Sequence, residues 1–530
     1  MNFKIREQLE KYYDENIWEH ITLGEALERW SEKYKNKIAV IDEDIELTYK
    51  KLNEEVDHYA EGLLNNGINK GDKVLLQLPN CAEFIIISFA LFKVGAIPIM
   101  GLPAHRKREI KGILEKSEAK AYIAKDKYLG FSYIDMIREI QNEIDKKINV
   151  FILGEKEEYK SFYNLRWGNR ISDSKKNKAS YKDIGLLLLS GGTTGIPKLI
   201  PRRHTDYLYV AKECGKICKM NKDTVYLVSL PIAHNFPLGC PGVIGTLIYG
   251  GRVVICPTTS PDEIIPLIED EEVTITGLVP AMANMCMEFL KIEEYDLSSL
   301  KVLQVGGSVL DSITAERIKN VFNCKLQQIF GIAEGLICCT DLEDDIDIIY
   351  KTQGKPISKY DEIKIIDDNG EEVPDGEYGE LIVRGPYTIY GYYNLKEVNV
   401  NCVTEDCYFK TGDKAKKLKN GNYQIVGRLK EMINRAGEKI IPSEIEEVLL
   451  KHKDIIEVQV VGVPDEILGE KIGVFIIKRN EEINLDEIRD YLKKNGLAHF
   501  KMPDIVKYVE SWPLTSVGKI DKSRLIELVL

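Results

Sequence analysis

The sequence predicts an α/β protein: a large N-terminal domain of mostly parallel sheets covered by helices, a small β-barrel-like subdomain and a small α+β C-terminal domain. Three features carry that expectation. From about residue 70 short apolar runs alternate with amphipathic stretches, the signature of strands joined by crossover helices. Beyond about residue 360 apolar and polar residues alternate with period two between Gly/Pro/Asp turns, as in half-buried strands. A last segment, opening near Gly427–Lys430, carries its own helix start and strands, and about a hundred residues suffice for a separate domain.

Taken in order, Val74–Leu78 reads as a strand, Ala82–Val94 as a helix and Ala96–Met100 as a strand again. Ile184–Leu189, Val225–Ser229, Arg252–Ile255, Val273–Leu278 and Val302–Val305 follow, each expected to lead through a loop into a helix. Ligands in such sheets bind beyond the carboxyl ends of the strands, so chemistry is expected in the loops that follow these runs. Glu362–Ile366 and Gly379–Arg384 read as strands, with turns at Asp367–Gly370 and Pro374–Gly376. The domain boundary is expected after Arg428, dividing the chain into 1–428 and 429–530. In the second part Ser443 and Glu446, after Pro442, form a capping-box pattern. Val458–Val463 and Gly473–Ile477 then read as strands and Leu485–Asn495 as a helix.

Composition excludes several classes. With 44% hydrophobic and 29% charged residues, the 530-residue chain resembles an ordinary soluble protein with more than one core. Its net charge of -12, from 72 basic and 84 acidic residues, argues against nucleic acid as a partner. The apolar stretch Phe84–Phe92 is too short to span a bilayer, and the charged N-terminus has no signal-peptide pattern. The eleven cysteines are irregularly spaced and are expected to be reduced, in a cytoplasmic protein. Cys214 and Cys218, and Cys338 and Cys339, lack a histidine at ligand spacing, so no structural zinc is expected.

The sharpest local signal is Ser190-Gly191-Gly192-Thr193-Thr194-Gly195-Ile196-Pro197-Lys198, directly after the Ile184–Leu189 run. Its glycines let the backbone curl so that N–H groups converge on an anion. Ser190, Thr193 and Thr194 add hydroxyl donors and Lys198 a point charge. The spacing differs from that of the Walker A loop. Read locally, the segment is a phosphate loop or a flexible surface loop.

This segment resembles the signature loop of the acyl-adenylate-forming superfamily, which includes acyl-CoA synthetases, luciferases and nonribosomal peptide adenylation domains. Four further motifs resemble that superfamily in the expected order: Phe330-Gly331-Ile332-Ala333-Glu334-Gly335, Thr411-Gly412-Asp413, Gly427-Arg428 with Lys430, and Pro513-Leu514-Thr515 through Gly518-Lys519-Ile520-Asp521. The match spans nearly the whole chain. It implies an adenylation core, 1–428, and a mobile lid domain, 429–530.

What the resemblance implies for each residue follows the chemistry. A carboxylate attacks the α-phosphate of ATP and expels pyrophosphate, so cations and oriented donors are needed where negative charge gathers. The Ser190–Lys198 loop would hold the β- and γ-phosphates, and Glu334 with Thr194 the Mg²⁺ that bridges them. Asp413 would accept hydrogen bonds from the ribose hydroxyls. Phe330, followed by Gly331, would stack on adenine, with Gly307 allowing close approach and Arg428 supporting the nucleotide. Lys519, which alone would read as a solvated surface lysine, becomes the central catalytic residue beside Glu334 and Lys198. Lys430 would be the hinge, with Gly437 and Glu438 approaching a thiol arm.

The acid is suggested by Ala233-His234-Asn235-Phe236-Pro237-Leu238-Gly239-Cys240-Pro241-Gly242, which resembles the aryl-acid branch, the 2,3-dihydroxybenzoate–AMP and salicylate–AMP ligases of siderophore assembly. Leu102-Pro103-Ala104-His105-Arg106 and Leu199-Ile200-Pro201-Arg202 resemble it too. Amino-acid-activating relatives typically have aspartate at the place of Asn235. A neutral amide there would leave a substrate ammonium buried without a counter-charge. The expected pocket comprises Asn235, Phe236, Cys240, Ser308, Ile329 and Ile337. Salicylate activators resemble one another in carrying cysteine at the place of Cys240, where dihydroxybenzoate activators carry serine. Salicylate is therefore favoured, with 2,3-dihydroxybenzoate next. His234 reads equally as a gate between the two half-sites or as a satisfied core histidine. Two departures stand out: Ala436 in Arg435-Ala436-Gly437, where the branch usually has a second glycine, and Asp521 in place of a small polar residue. The expected acceptor is the phosphopantetheine of a separate aryl carrier protein, since no carrier domain follows Lys519. An aryl-CoA ligase shares every ATP residue, and a noncatalytic nucleotide-binding protein can share the fold.

Overall fold

Two sheets built mainly of parallel strands form the N-terminal part of the protein. The computed structural model describes residues 3–144, 147–154, 158–166, 179–190, 196–399, 401–436, 438–515 and 518–530. In the seven-stranded sheet the order is Leu199–Arg203, Ile184–Leu189, Ile97–Met100, Lys73–Gln77, Ala121–Lys125, Asn149–Leu153 and Lys160–Ser161. In the nine-stranded sheet the strands Lys325–Gly331, Val302–Gly306, Ile275–Leu278, Val225–Val228, Arg252–Ile255 and Ile38–Asp42 run parallel to their neighbours, with antiparallel strands at both edges. The strand centres are continuous apolar runs because helices cover both faces.

The Ala82–Val94 helix shows how the apolar pattern becomes packing. It is buried on nearly every face, and its first N–H, on Ala82, donates to Asp42 Oδ2 at 2.7 Å. Gly95 ends it with φ +73°, a left-handed geometry that glycine adopts without Cβ strain. Phe84–Phe92 therefore lies in a core helix. Among the described residues no helix is long and apolar enough to cross a membrane.

One expected connection differs. The Ile184–Leu189 strand leads not into a helix but into the antiparallel edge strand Leu199–Arg203, and the helix His204–Ile217 begins only afterwards. Along the chain, Ser190 to Lys198 thus connects two antiparallel strands rather than a strand and a helix.

Four antiparallel strands, Glu362–Ile366, Gly379–Arg384, Phe409–Lys417 and Tyr423–Arg428, form the next sheet. A single 3-10 turn, Leu429–Glu431, separates it from Ile433–Arg435, which belongs to a different, five-stranded sheet. That sheet pairs Ile455–Asp465 with Gly469–Lys478 antiparallel and adds Ile505–Tyr508 in parallel. Its core, including Ile433, Ile445, Leu449, Val460, Val474 and Leu492, is distinct from the N-terminal ones.

The helix start near Ser443 needs correction. The helix is Pro442–Leu449, with Ile441 as N-cap and proline at its first turn. Ser443 Oγ donates to the Val426 carbonyl at 3.2 Å, while Glu446 Oε1 accepts the Val460 N–H at 2.8 Å. Proline supplies a preset φ and has no N–H to satisfy, so the helix starts there without a side-chain cap. A reciprocal capping box does occur at Asn484 and Glu487, opening Leu485–Lys494.

Candidate active site

The parallel strands Val225–Val228, Ile275–Leu278, Val302–Gly306 and Lys325–Gly331 are neighbours, so the loops at their carboxyl ends lie side by side. The first loop runs into the short helix Asn235–Gly239, which His234 caps by accepting the Phe236 N–H at Nδ1, 3.3 Å. Asn235 is buried. Its Oδ1 accepts from the Tyr207 hydroxyl at 3.0 Å and its Nδ2 donates to Cys240 Sγ at 3.3 Å. Phe236 is accommodated by Gly277, where a Cβ would stand 2.9 Å from the ring.

Other expected pocket residues converge here. Ile329 and Ile337 are buried on paired antiparallel strands, in the registers Ile329↔Cys339 and Gly331↔Ile337. Gly331 has room for the Ile337 side chain only because it lacks a Cβ, which would meet Cδ1 at 2.5 Å. Ser308, by contrast, is exposed on the loop after Val302–Gly306.

The loop after Lys325–Gly331 holds Glu334. Ile332 N–H bonds the Leu336 carbonyl at 3.0 Å, and Glu334's own carbonyl accepts from Ile389 N–H at 2.8 Å. Glu334 Oε1 accepts from the Tyr392 hydroxyl at 2.9 Å, and the Lys198 ammonium sits 4.6 Å from the centre of the same Tyr392 ring. Tyr392 therefore joins two residues read separately from sequence. Lys198 also closes the mouth of its loop: Ser190 N–H donates to the Lys198 carbonyl, and Lys198 N–H to Ser190 Oγ, both at 3.0 Å. Gly191, Gly192, Thr193, Thr194 and Gly195 lie outside the described residues, as does Gly437. Phe330 is half-buried at the end of its strand.

Facing these loops, the antiparallel sheet presents Asp413. It is buried, paired with Arg428 Nε at 3.0 Å, and its Oδ2 has no hydrogen-bond partner among the described residues. Burial raises its carboxyl to about 6, with Arg428 opposing the shift. Arg428 Nη1 also donates to the Thr411 carbonyl at 2.9 Å.

Lys519 reaches the same space from the second domain. A Cβ built on Gly307, whose φ is +87°, would stand 3.3 Å from Lys519 Cε and 4.0 Å from Nζ. Gly518 rests against Val279 and Met282. The turn is tied internally, with Lys519 N–H donating to Thr515 Oγ1 at 3.2 Å. Asp521 caps the helix Lys522–Glu527, which gives that departure from the branch pattern a local role. Desolvation and then the Arg428 charge hold the Lys519 ammonium below the ordinary lysine value, opposed by Asp413, Glu431 and Glu334. Burial, with Lys519's charge, takes His234 down to about 3. His234 is thus a neutral imidazole at this site.

Several residues had no individual role read from sequence. Arg202 is fully buried, pairs with Asp206 at 2.8 Å and donates to the Ala333 carbonyl at 3.1 Å. Its signal was the Leu199–Arg202 resemblance to the aryl-acid branch, which assigned it no individual role. Tyr207 and Tyr392 gave none, because a tyrosine in a helix or loop reads as packing. Among the described residues no group of three or more His, Cys, Asp or Glu could hold a metal ion, and all eleven cysteines are free.

The two parallel sheets, the antiparallel sheet and the smaller C-terminal domain make up the adenylate-forming enzyme fold. Residues 27–393 match the AMP-binding enzyme family and residues 444–519 the AMP-binding enzyme C-terminal domain. The chain is 44% identical to the 2,3-dihydroxybenzoate-AMP ligase of Bacillus subtilis, over 99% of this chain and 96% of that protein. It is 38% identical to the salicyl-AMP ligase / salicyl-S-ArCP synthetase of Mycobacterium tuberculosis, over 97% and 92%. The Mycobacterium smegmatis MbtA apo structure superposes with a TM-score of 0.74 at 37% identity, covering 98% of this chain and 97% of that one. The chain belongs to the AMP-binding enzyme family, whose members use ATP, within its branch of aryl-acid–AMP ligases.

Proposed function

We propose that this enzyme activates salicylate, in preference to 2,3-dihydroxybenzoate, as salicyl-AMP and passes the acyl group to the phosphopantetheine thiol of an aryl carrier protein in siderophore biosynthesis. The names of its relatives carry both acids, so the choice rests on the pocket. The observation that carries it is the buried Cys240 thiol, already engaged by Asn235 Nδ2 at 3.3 Å. A thiol is a weak hydrogen-bonding group, so a 3-hydroxyl beside it would be poorly satisfied. Ile337 adds bulk to the same pocket.

Asp413 Oδ2, buried and without a hydrogen-bond partner among the described residues, fits the ribose hydroxyls of ATP. Glu334, oriented through Tyr392, and Thr194 would hold Mg²⁺, which when bound neutralises charge between the phosphates. Glu334 offers a hard carboxylate oxygen, already oriented by the Tyr392 hydroxyl, of the kind Mg²⁺ takes. In the reaction an oxygen of the aryl carboxylate forms a bond to the α-phosphorus, and the bond from that phosphorus to the pyrophosphate oxygen breaks. Lys519, over Gly307, would sit between the two anions and lower their repulsion. His234, being neutral, adds no competing cation.

ATP–pyrophosphate exchange across salicylate, 2,3-dihydroxybenzoate, benzoate, 4-hydroxybenzoate and anthranilate tests the reading. Salicylate is expected to give the highest kcat/KM. A clear preference for 2,3-dihydroxybenzoate would overturn the substrate assignment, and no exchange with any aryl acid would overturn the activity. Supplying a holo carrier protein or coenzyme A in turn decides the acceptor.

A further inference from the structure

Behind the amide of Asn235 lies a buried assembly that the adenylation chemistry described above does not use. Tyr207, on the helix His204–Ile217, has no exposed surface, and its hydroxyl donates to Asn235 Oδ1 at 3.0 Å. The guanidinium of Arg202 lies 5.0 Å from the centre of the Tyr207 ring. Arg202 is itself 1% exposed and tied to Asp206 Oδ1 at 2.8 Å and to the Ala333 carbonyl at 3.1 Å. Gly239 approaches the hydroxyl end of the ring: a Cβ there would stand 2.7 Å from Tyr207 Cζ and 2.8 Å from its oxygen. The ring thus has a cation and a close-packed glycine as neighbours.

A carboxamide presents an acceptor on one face and two donors on the other, and which face meets a ligand depends on its partners. The phenol hydrogen is buried, and Asn235 Oδ1 is its acceptor among the described residues. Turning the amide over would point N–H groups at the phenol oxygen and leave that hydrogen unpaired in a dry interior. The adjacent guanidinium strengthens the phenol as a donor and favours the ring face. With Oδ1 committed, one N–H already reaches Cys240 Sγ at 3.3 Å.

We propose that Tyr207 is a positioning residue that locks the Asn235 carboxamide with its donor face toward the aryl acid, and that Arg202 and Gly239 hold Tyr207 in place for that task. The proposal rests on the reading that Asn235 meets the acid. It adds that the preference for an ortho-hydroxyl depends on a residue outside the pocket. Arg202 also links this lock to the Glu334 loop through the Ala333 carbonyl.

The test compares Tyr207→Phe with Asn235→Ala, measuring KM for salicylate, benzoate and ATP by pyrophosphate exchange, with a thermal melt of each variant. Phenylalanine keeps the ring and removes the hydroxyl. In Tyr207→Phe the KM for salicylate is expected to rise roughly three- to tenfold, the loss of one buried hydrogen bond. Benzoate should be affected less, so the salicylate-over-benzoate ratio falls, while the KM for ATP and the melting temperature stay near wild type. Unchanged salicylate parameters in Tyr207→Phe, with Asn235→Ala impaired, would overturn the positioning role and leave the pocket reading intact. An unimpaired Asn235→Ala would overturn both. Equal losses for both acids and ATP with a lowered melt would mark Tyr207 as packing only and so overturn the proposal. Should Tyr207→Phe not fold, Gly239→Ala displaces the same ring. It must lower the same ratio, and an unchanged ratio there counts against the lock.

Discussion

Lys519 stands where charge is costly: desolvation and then Arg428 lower its affinity for a proton, with Asp413, Glu431 and Glu334 in opposition. Such a lysine is most useful when two anions must approach one another. Lys519→Ala is expected to slow aryl-adenylate formation by about 100-fold or more while nucleotide binding persists, and near-normal pyrophosphate exchange would remove Lys519 from the mechanism. Asp413 predicts a pH effect. Its carboxyl is raised to about 6 by burial, so falling pH protonates it in the free enzyme and removes an acceptor the ribose needs. KM for ATP should therefore climb between about pH 7.5 and about pH 5, given an unperturbed aspartate value near 3.9. In Asp413→Asn it should be high throughout and nearly flat, and a wild-type KM constant over that range would sink the assignment. At Cys240, replacement by serine offers a stronger hydrogen-bonding group to a 3-hydroxyl. The ratio of kcat/KM values should move toward 2,3-dihydroxybenzoate by roughly 5- to 150-fold, the value of satisfying one buried hydroxyl, and an unchanged ratio counts against the pocket reading. These residues were legible because their motifs survive in linear order. Tyr207 and Tyr392 were not, and Arg202 was legible only within Leu199–Arg202, since each contacts a neighbour distant in sequence that no flanking residue marks.

Elements were legible where an apolar run or a period-two alternation decides them. Ala82–Val94, Ile184–Leu189, Glu362–Ile366 and Gly379–Arg384 have the bounds read from sequence. The Val273–Leu278 run begins its strand only at Ile275; Thr274 is occupied instead, its Oγ1 accepting from Val225 N–H and donating to the Val225 carbonyl. Capping was misread at Ser443 because the serine and glutamate there bond to other strands rather than to each other, which no local pattern reveals. Ala436, a departure from the branch pattern, occupies a turn at φ +52° with its N–H bonded to the Leu468 carbonyl at 2.7 Å. A left-handed alanine costs about 1–2 kcal/mol, and glycine's extra freedom in the unfolded chain offsets about 0.4–1 of that. Ala436→Gly is accordingly expected to stabilise the C-terminal domain by about 0.5–1 kcal/mol in a denaturant titration, and a destabilised variant would show that the turn is not strained.

At the scale of the whole molecule, one lysine has to be inserted into the cleft and later withdrawn if the same face is to admit a thiol. The contacts that seat the smaller domain are suited to that. Gly518 lies against Val279 and Met282, Lys439 pairs with Asp368 at 2.8 Å with both side chains exposed, and Ser443 Oγ reaches the Val426 carbonyl. An exposed ion pair contributes about 0–1 kcal/mol, so this pair would oppose a rotation only weakly, and the two parts keep separate hydrophobic cores. The chain between the sheets is one 3-10 turn, Leu429–Glu431, with Lys430 exposed at its centre. Proline there would fix φ near −65° and hinder any rotation that needs another value. Lys430→Pro should leave pyrophosphate exchange within about threefold of wild type, because the arrangement with Lys519 over Gly307 already exists, yet slow transfer to a holo carrier protein by about tenfold or more if closing the second pose is limiting. Equal loss in both half-reactions would mean that the turn supports the site rather than the motion. Unimpaired transfer would mean that acyl transfer proceeds without rotation about Lys430.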